Sequence, residues 1–202
     1  MFLSKIMISG AACRNPYEIH RTLWKLFPSA SDAGRDFLFR VEHSGQQNAE
    51  VLMQSIREPI VATVGEAQLL RSKLYPLSLQ HGQRLRFKLL ANPVKTINDE
   101  GGRLNAKGEV KKCRVPLLHD EELQAWLIRK LVGITEIESI VVEKRPPMNF
   151  RKASERLVGK VQPVCFQGIL SIVEPADLER LVQSGIGPGK AFGCGLLSLA
   201  RC

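Results

Sequence analysis

The stretch FLSKIMISGAACRNPYEIHRTLWKLF, residues 2–27, decides the fold of the first half of the chain. Residues 2–9 are mostly apolar, which is typical of a buried strand. Asn15, Pro16 and Glu18 then provide an N-cap, a proline at the first helical position and an acid in the first turn. The sequence therefore predicts a strand followed by a helix from Pro16 to about Phe27.

The residues after this helix predict more strands. Phe37, Phe39 and Val41 alternate with polar positions, and residues 50–54 return after a polar turn, which indicates a hairpin. We predict a short helix at residues 64–72 and a further strand at residues 74–80. Residues 1–83 are therefore expected to form a βαββαβ, ferredoxin-like domain that carries the first helix.

Residues 84–202 are predicted to repeat this order. One long strand over residues 84–96, a glycine-rich charged turn at 98–108 and a return strand through 115 predict a long basic hairpin. Further helices are predicted at 120–133 and 175–184, and further strands at 137–143, 160–173 and 196–200. The predicted fold class is α+β, with two tandem ferredoxin-like (RRM-like) domains and a C-terminal glycine-rich loop.

The positive charge is concentrated in two segments. Lys and Arg number 29 against 20 acidic residues, which gives a net charge of +9. Residues 84–114 hold nine basic and three acidic residues, and residues 144–160 hold six basic and one acidic residue. Segregation of this kind is typical of a polyanion-binding surface, because each neutralised phosphate releases counterions. Two solvated faces are the alternative interpretation.

Composition also excludes several classes of protein. No run of 18 apolar residues is present, so no membrane partner is predicted. Five cysteines without a C-x-x-C pair favour a reducing compartment, and we expect a cytoplasmic protein. Neither H-E-x-x-H, nor paired cysteine motifs, nor an acidic cluster occurs, so neither a metal site nor another cofactor is predicted.

The first helix carries the candidate catalytic residue. At 100° per residue, Ile19 and Leu23 lie on the core side, whereas Tyr17, His20 and Arg21 lie on the adjacent face. An imidazole can accept or donate a proton near neutral pH, as attack by a ribose 2′-hydroxyl on its phosphate requires. An ordinary histidine at the border of a core is the alternative.

The glycine-rich segment GIGPGKAFGCG, residues 185–195, resembles a nucleotide-binding loop only superficially. It lacks the spacing of either common phosphate-binding motif, and Ala191 follows Lys190 where a P-loop has Ser or Thr. It also follows a predicted helix and precedes a strand, the reverse of the phosphate-binding order. Its glycines favour either close approach to RNA or a purely structural tight loop.

Several stretches together carry a family resemblance over essentially the whole chain. They are YEIH at 17–20, LW at 23–24, LFP at 26–28, RDFLF at 35–39, ANPVKT at 91–96, KCRVPL at 112–117 and the segment 185–200. In these stretches the sequence resembles the CasE family of CRISPR-associated endoribonucleases, the CRISPR RNA-processing subunits of type I-E Cascade.

The resemblance implies a function and a set of site residues. It implies a monomer when isolated that binds the stem-loop of CRISPR repeat RNA, joins other Cascade subunits, and cleaves at the 3′ base of the stem without metal, by 2′-hydroxyl attack. The family's histidine, tyrosine and phosphate-side lysine fall on His20, Tyr17 and Lys160. The alternative is a non-catalytic RNA-binding subunit of a ribonucleoprotein. The predicted RNA-binding residues are Arg21, Arg84, Arg86, Lys88, Lys95, Lys111, Lys112, Arg114, Arg151, Lys152, Arg156, Gly187, Gly189 and Gly193.

Overall fold

Two larger antiparallel sheets organise the part of the chain that the computed structural model describes, residues 1–27, 36–59, 63–151 and 158–202. The first sheet has the strand order β2-β3-β1-β5-β4. Asn15 caps its helix as predicted, because the Tyr17 amide donates to Asn15 Oδ1 at 3.0 Å. The elements are β1 (Phe2–Ser9), α1 (Pro16–Trp24), β2 (Phe37–Ser44), β3 (Asn48–Ser55), β4 (Thr63–Val64) and β5 (Ala67–Leu74).

Two predictions for the first half are wrong. The segment predicted as a helix at 64–72 forms the turn and most of the hairpin β4–β5, and β5 pairs with β1 from Phe2↔Leu74 to Ile8↔Ala67. Pairing with a buried neighbour overrides the local helical preference of this segment. Residues 75–80 have no regular structure, because the chain leaves the sheet at Tyr75, whose hydroxyl donates to Leu199 O.

The second sheet has the order β13-β6-β12-β9, and the hairpins β7–β8 and β10–β11 extend from it as separate two-stranded ladders. Its elements are β6 (Arg84–Ala91), β7 (Val94–Asn98), β8 (Lys112–Pro116), α2 (Asp120–Leu131), β9 (Thr135–Lys144), β10 (Met148–Arg151), β11 (Val158–Val161), β12 (Val164–Ile172), α3 (Pro175–Ser184) and β13 (Leu197–Arg201).

The predicted long strands in this half are each divided in two. The strand predicted at 84–96 breaks at Asn92 and Pro93, since proline has no amide hydrogen for a ladder. As a result the first part of the predicted strand, β6, lies inside the sheet, and the second part, β7, pairs with β8 in the basic hairpin. The strand predicted at 160–173 is likewise two strands, β11 and β12.

Both sheets share one topology. The first strand of each is central, with β1 between β3 and β5 and β6 between β12 and β13, and the second strand lies next to the third, as in a βαββαβ unit; the two-residue β4 is an addition at the edge of the first sheet. The described residues of the first half contain a single α-helix, α1, whereas α2 and α3 pack in the core of the second half. The boundary at residues 83 and 84 stays a prediction.

Strand β2 joins the two halves because it is buried on both faces. Phe37 and Phe39 lie in the first core with Ile19 of α1. Leu38 and Arg40, on the opposite face, are also buried and contact the second half. This packing brings the C-terminal glycine-rich loop to the edge of the first core.

No helix in the described ranges combines the length and the apolar character that a membrane crossing requires.

Candidate functional site

Helix α1 holds His20 in an aromatic pocket. The helix buries Ile19 and Leu23, as predicted, and this leaves His20 half-buried at the border. The imidazole centroid lies 5.5 Å from that of Phe37 and 6.2 Å from that of Phe39, with the Phe39 ring nearly parallel. Trp24 meets the imidazole edge-on at 6.3 Å. These rings fix the orientation of the imidazole, and Tyr17 lies one turn earlier on the same helix.

The glycine-rich loop packs against this pocket. Its short 3-10 helix, Lys190–Phe192, contacts α1 and β2. Gly193 has a φ of +84°, and a Cβ there would lie 3.2 Å from the Phe39 ring that stacks on His20. The loop therefore supports one wall of the histidine pocket.

The packing of the loop explains why the other two predicted RNA-binding positions are glycines. Gly187 and Gly189 both have positive φ, at +78° and +86°. A Cβ on Gly187 would lie 2.9 Å from the Trp126 ring, and one on Gly189 would lie 3.3 Å from Asn92 Cβ. The loop thus requires glycine for its own packing, and RNA contact by these glycines stays a prediction.

Replacing Gly193 with alanine is expected to slow RNA cleavage. The left-handed backbone costs an alanine roughly 1–2 kcal/mol, and the new methyl group pushes against the Phe39 ring that stacks on the imidazole, which must shift by a few tenths of an ångström. Gly82→Ala is the matched control, because Gly82 also has a positive φ but nothing lies within 4 Å of its added Cβ. Equal cleavage rates for the two variants at saturating RNA would contradict this role of Gly193.

Lys160 lies in a groove that β10 and the glycine-rich loop connect to α1. The helix contacts β10, which pairs with β11 so that Asn149 is opposite Lys160. The exposed Lys160 lines a groove of about 550 Å³ with Arg114, and Pro188 and Gly189 of the glycine-rich loop form another wall. Two predicted cations and the loop therefore meet in one groove, and the loop segment that includes Phe192 connects this groove to the helix that carries His20.

Two polar residues of this groove, Asn92 and Gln162, were not among the predicted site residues. Asn92 precedes the proline that ends β6, and its place at that break was the available signal. Gln162 lies between β11 and β12, where its side chain donates to Arg145 O at 2.7 Å. Neither residue is charged, and Asn92 was marked only by its place before Pro93 in the stretch ANPVKT.

The basic residues of β6 do not lie on the hairpin, contrary to the expectation. Arg84 is paired with Glu138 at 2.6 Å, Lys88 with Glu42 at 2.6 Å, and Arg86 Nε donates to Arg201 O. The hydrogen bond from Arg84 holds the pKa of Glu138 below its usual value. These cations already have protein partners, so an RNA contact from any of them stays a prediction.

The remaining predicted cations differ in their partners. Lys95 pairs with Glu122 at 2.9 Å, and Arg21 pairs with Glu18 at 3.3 Å. Lys152 and Arg156 lie outside the described residues, and Arg151 is described only by its backbone in β10. Within the described ranges, no carboxylate lies within ion-pair distance of the cations Lys107, Lys111, Lys112, Arg114 and Lys160.

In the described parts of the chain, no group of three or more His, Cys, Asp or Glu side chains is placed to hold a metal ion. Cys194, in the glycine-rich loop, is fully buried, and burial raises the pKa of its thiol to about 12. A thiol in this state is a packing group.

Comparison with known proteins identifies the family. The profile of the family described as "CRISPR associated protein" matches residues 1–201. The chain belongs to this family. The Cascade subunit CasE of Escherichia coli strain K12 is 45% identical, over 99% of both chains. The CRISPR-associated endoribonuclease Cse3 of Thermus thermophilus is 35% identical, over 99% of this chain and 100% of that protein.

Solved structures of family members have the same fold. The crystal structure of Cas6e from Escherichia coli covers 100% of both chains, with a TM-score of 0.86 and 42% identity. Thermus thermophilus Cse3, bound to an RNA representing a pre-cleavage complex, covers 100% of both chains, with a TM-score of 0.73 and 34% identity. The predicted resemblance and the predicted fold class are confirmed.

Proposed function

We propose that this protein is a metal-independent endoribonuclease that binds the stem-loop of CRISPR repeat RNA and cleaves pre-crRNA at the 3′ base of the stem. A relative of similar length is named an endoribonuclease, and another is named a Cascade subunit. The observation that carries the proposal is the placement of His20, which packs against aromatic rings on a helix that contacts the loop segment Lys190–Phe192, and Phe192 lines the groove of Lys160 and Arg114.

The proposed reaction needs only proton transfer and charge stabilisation. The ribose 2′-oxygen attacks the adjacent phosphorus, the bond from phosphorus to the 5′-oxygen breaks, and a 2′,3′-cyclic phosphate and a 5′-hydroxyl result. One proton leaves the 2′-hydroxyl, and one reaches the departing 5′-oxygen. His20 transfers one of these protons, and either role typically contributes about 10²- to 10⁴-fold to the rate.

The neighbouring residues are proposed to handle the phosphate. The Tyr17 hydroxyl orients it from the preceding turn of α1. Negative charge builds up on the phosphate oxygens in the transition state, and the ammonium group of Lys160 in the groove stabilises it. The guanidinium of Arg114 lines the same groove and can hold the adjoining phosphate in a bidentate contact.

Binding of the stem is proposed to rest mainly on its phosphates and shape, because the major groove of A-form RNA is too narrow for side chains to read. The hairpin β7–β8 and the other predicted RNA-binding residues provide the cations. Cleavage at the base leaves the stem itself intact, so we expect the hairpin cations to hold the stem after cleavage. The protein then retains its product and joins Cascade with it in the cytoplasm. Its two proposed domains are residues 1–83 and 84–202.

Cleavage in a chelator tests the metal-independent reaction. We expect wild-type protein to cut a labelled stem-loop repeat RNA in excess EDTA as fast as in magnesium, because no step requires a Lewis acid. The expected products are a cyclic or 3′-phosphate end and a 5′-hydroxyl, read by end-labelling. Loss of cleavage in EDTA that magnesium restores, with a 3′-hydroxyl product, would contradict the proposal. Binding without cleavage under either condition would favour the non-catalytic RNA-holding alternative.

A further inference from the structure

The tip of the basic hairpin, residues 99–111, has a fixed shape without a hydrophobic core. Residues 100–111 are all exposed, including Leu104 and Val110, which are 62% and 42% exposed. A connection of this length normally has a defined conformation only where its own groups hold it. The shape of this hairpin tip must therefore come from hydrogen bonds among its own backbone and polar side chains.

A backbone ladder runs through the hairpin tip. The Asp99 amide donates to Lys111 O at 2.7 Å, and the Lys111 amide donates to Arg103 O at 2.7 Å. Leu104 and Val110 form an isolated bridge beyond these bonds. At the end of the tip, the Asn105 side chain accepts from the amides of residues 107 and 109, at 2.8 and 3.1 Å.

One buried carboxylate ties this ladder together at its base. The Asp99 side chain is only 6% exposed and accepts four hydrogen bonds. Its Oδ2 accepts from the Arg103 amide at 3.1 Å and from Arg103 Nε at 3.0 Å. Its Oδ1 accepts from Arg103 Nη2 at 2.6 Å and from Cys113 Sγ at 3.3 Å. Carboxylate acceptors of this kind form the stronger class of protein hydrogen bonds.

The four hydrogen bonds also favour the ionised form of the Asp99 carboxylate. The side-chain and backbone hydrogen bonds from Arg103, followed by the bond from Cys113, hold the pKa of Asp99 well below its usual range. The same carboxylate raises the pKa of the Cys113 thiol, which therefore stays protonated as a donor. The cluster keeps this arrangement throughout the neutral pH range.

We propose that Asp99 is a positioning residue for RNA affinity, because its carboxylate holds the hairpin tip in a preformed shape that presents Lys107, Lys111 and Lys112 to the phosphates of the repeat stem. The inference rests on the proposed function. A preformed tip avoids the entropy cost of ordering the loop on binding. The guanidinium of Arg103 is held by Asp99 and acts as part of the support.

When Asp99 is changed, the loss of its negative charge and the loss of its support for the hairpin tip have opposite expected effects on RNA affinity. Removing a negative charge next to a polyanion strengthens binding if electrostatics alone matters. Removing the support of the hairpin tip weakens binding. Asp99→Asn loses acceptor capacity as well as charge, whereas Glu100→Gln removes the same charge from the exposed neighbouring residue.

The experiment measures RNA affinity and the cleavage rate separately for both variants. For Asp99→Asn we expect the Kd and the KM for the stem-loop RNA to rise about tenfold, while the single-turnover rate at saturating RNA stays unchanged. Glu100→Gln is expected to bind at least as tightly as wild type. Unchanged melting temperatures check that both cores are intact, since the tip lies outside them.

Cys113 provides a second, milder test. Cys113→Ser keeps a donor toward Asp99 and is expected to preserve the Kd, whereas Cys113→Ala removes it and is expected to raise the Kd severalfold. Asp99→Asn binding as tightly as Glu100→Gln would overturn the inference and leave the proposed function standing. A saturating rate that falls as much as the affinity would also overturn it. Wild-type protein that neither binds nor cuts the repeat RNA would overturn both.

Discussion

His20→Ala is expected to lower the single-turnover cleavage rate by about 10²- to 10⁴-fold while leaving the affinity for the stem-loop RNA unchanged. The reason is that the imidazole is proposed to transfer a proton in the reaction, whereas it is half-buried among aromatic rings and the stem is proposed to bind through exposed cations. Rates at saturating RNA measure the chemical step, and a filter-binding titration measures the affinity.

Two further variants separate chemistry from packing. His20→Asn keeps most of the side-chain volume between Phe37 and Phe39 and is expected to be as inactive as His20→Ala. His43→Ala removes an exposed histidine from β2 and is expected to cut at the wild-type rate. A His20→Ala protein that cuts at nearly the wild-type rate would contradict the role of His20, as would parallel loss of cleavage and binding.

Arg40→Met is expected to cause the largest loss of stability among changes outside the two hydrophobic cores. The Arg40 side chain is 4% exposed and joins β2 to the second half of the chain. Its Nη1 donates to Lys88 O and Leu196 O, both at 3.3 Å, and its Nη2 donates to Ser198 Oγ at 3.0 Å. Nε donates to Glu42 at 2.8 Å.

Removing this side chain leaves a largely buried carboxylate with a single cation. Burial alone would raise the pKa of Glu42, but the hydrogen bond from Lys88 and the charge of Arg40 outweigh it, so the pKa is lowered. A lowered folded-state pKa means that this stabilisation is complete above the ordinary carboxyl pKa. It is lost as the pH falls through the lowered value.

The expected cost of Arg40→Met is about 3 kcal/mol, since it removes one of the two cations of a largely buried carboxylate together with the hydrogen bonds to Lys88 O, Leu196 O and Ser198 Oγ. For a chain of this size that corresponds to a fall in melting temperature of roughly 6–12 °C. Arg71→Met, at an exposed arginine of β5, is the control and is expected to change stability by less than about 0.5 kcal/mol. Equal melting temperatures for the two variants would contradict the account of Arg40.

Local sequence signals were sufficient to predict those helices whose apolar face also packs in the folded core. The Asn15 cap, the following proline and the apolar spacing of Ile19 and Leu23 predicted both α1 and the border position of His20. Pro175 predicted the start of α3 in the same way. These features depend on residues within one or two turns of each other, so sequence alone is enough to find them.

The remaining features depend on distant parts of the chain. Residues 64–72 have a helical pattern, but most of them form a strand because they pair with the edge of β1 that β3 leaves open. The burial of Arg40 follows from the second half packing on β2, 156 residues away in the case of Leu196 O. The groove that joins Arg114 to Lys160 likewise exists only after folding. The sequence marked these cations by charge without indicating which of them have acidic partners.

The most direct test of the central claim compares two repeat RNAs in excess EDTA under single-turnover conditions. One carries ribose and the other 2′-deoxyribose at the nucleotide before the scissile bond, and each is given to wild type and to His20→Ala. We predict that all four combinations bind equally and that rapid cleavage occurs only with wild type on the ribose substrate. Cleavage of the deoxyribose substrate by wild type, or equal rates for wild type and His20→Ala on ribose, would contradict 2′-hydroxyl attack assisted by His20.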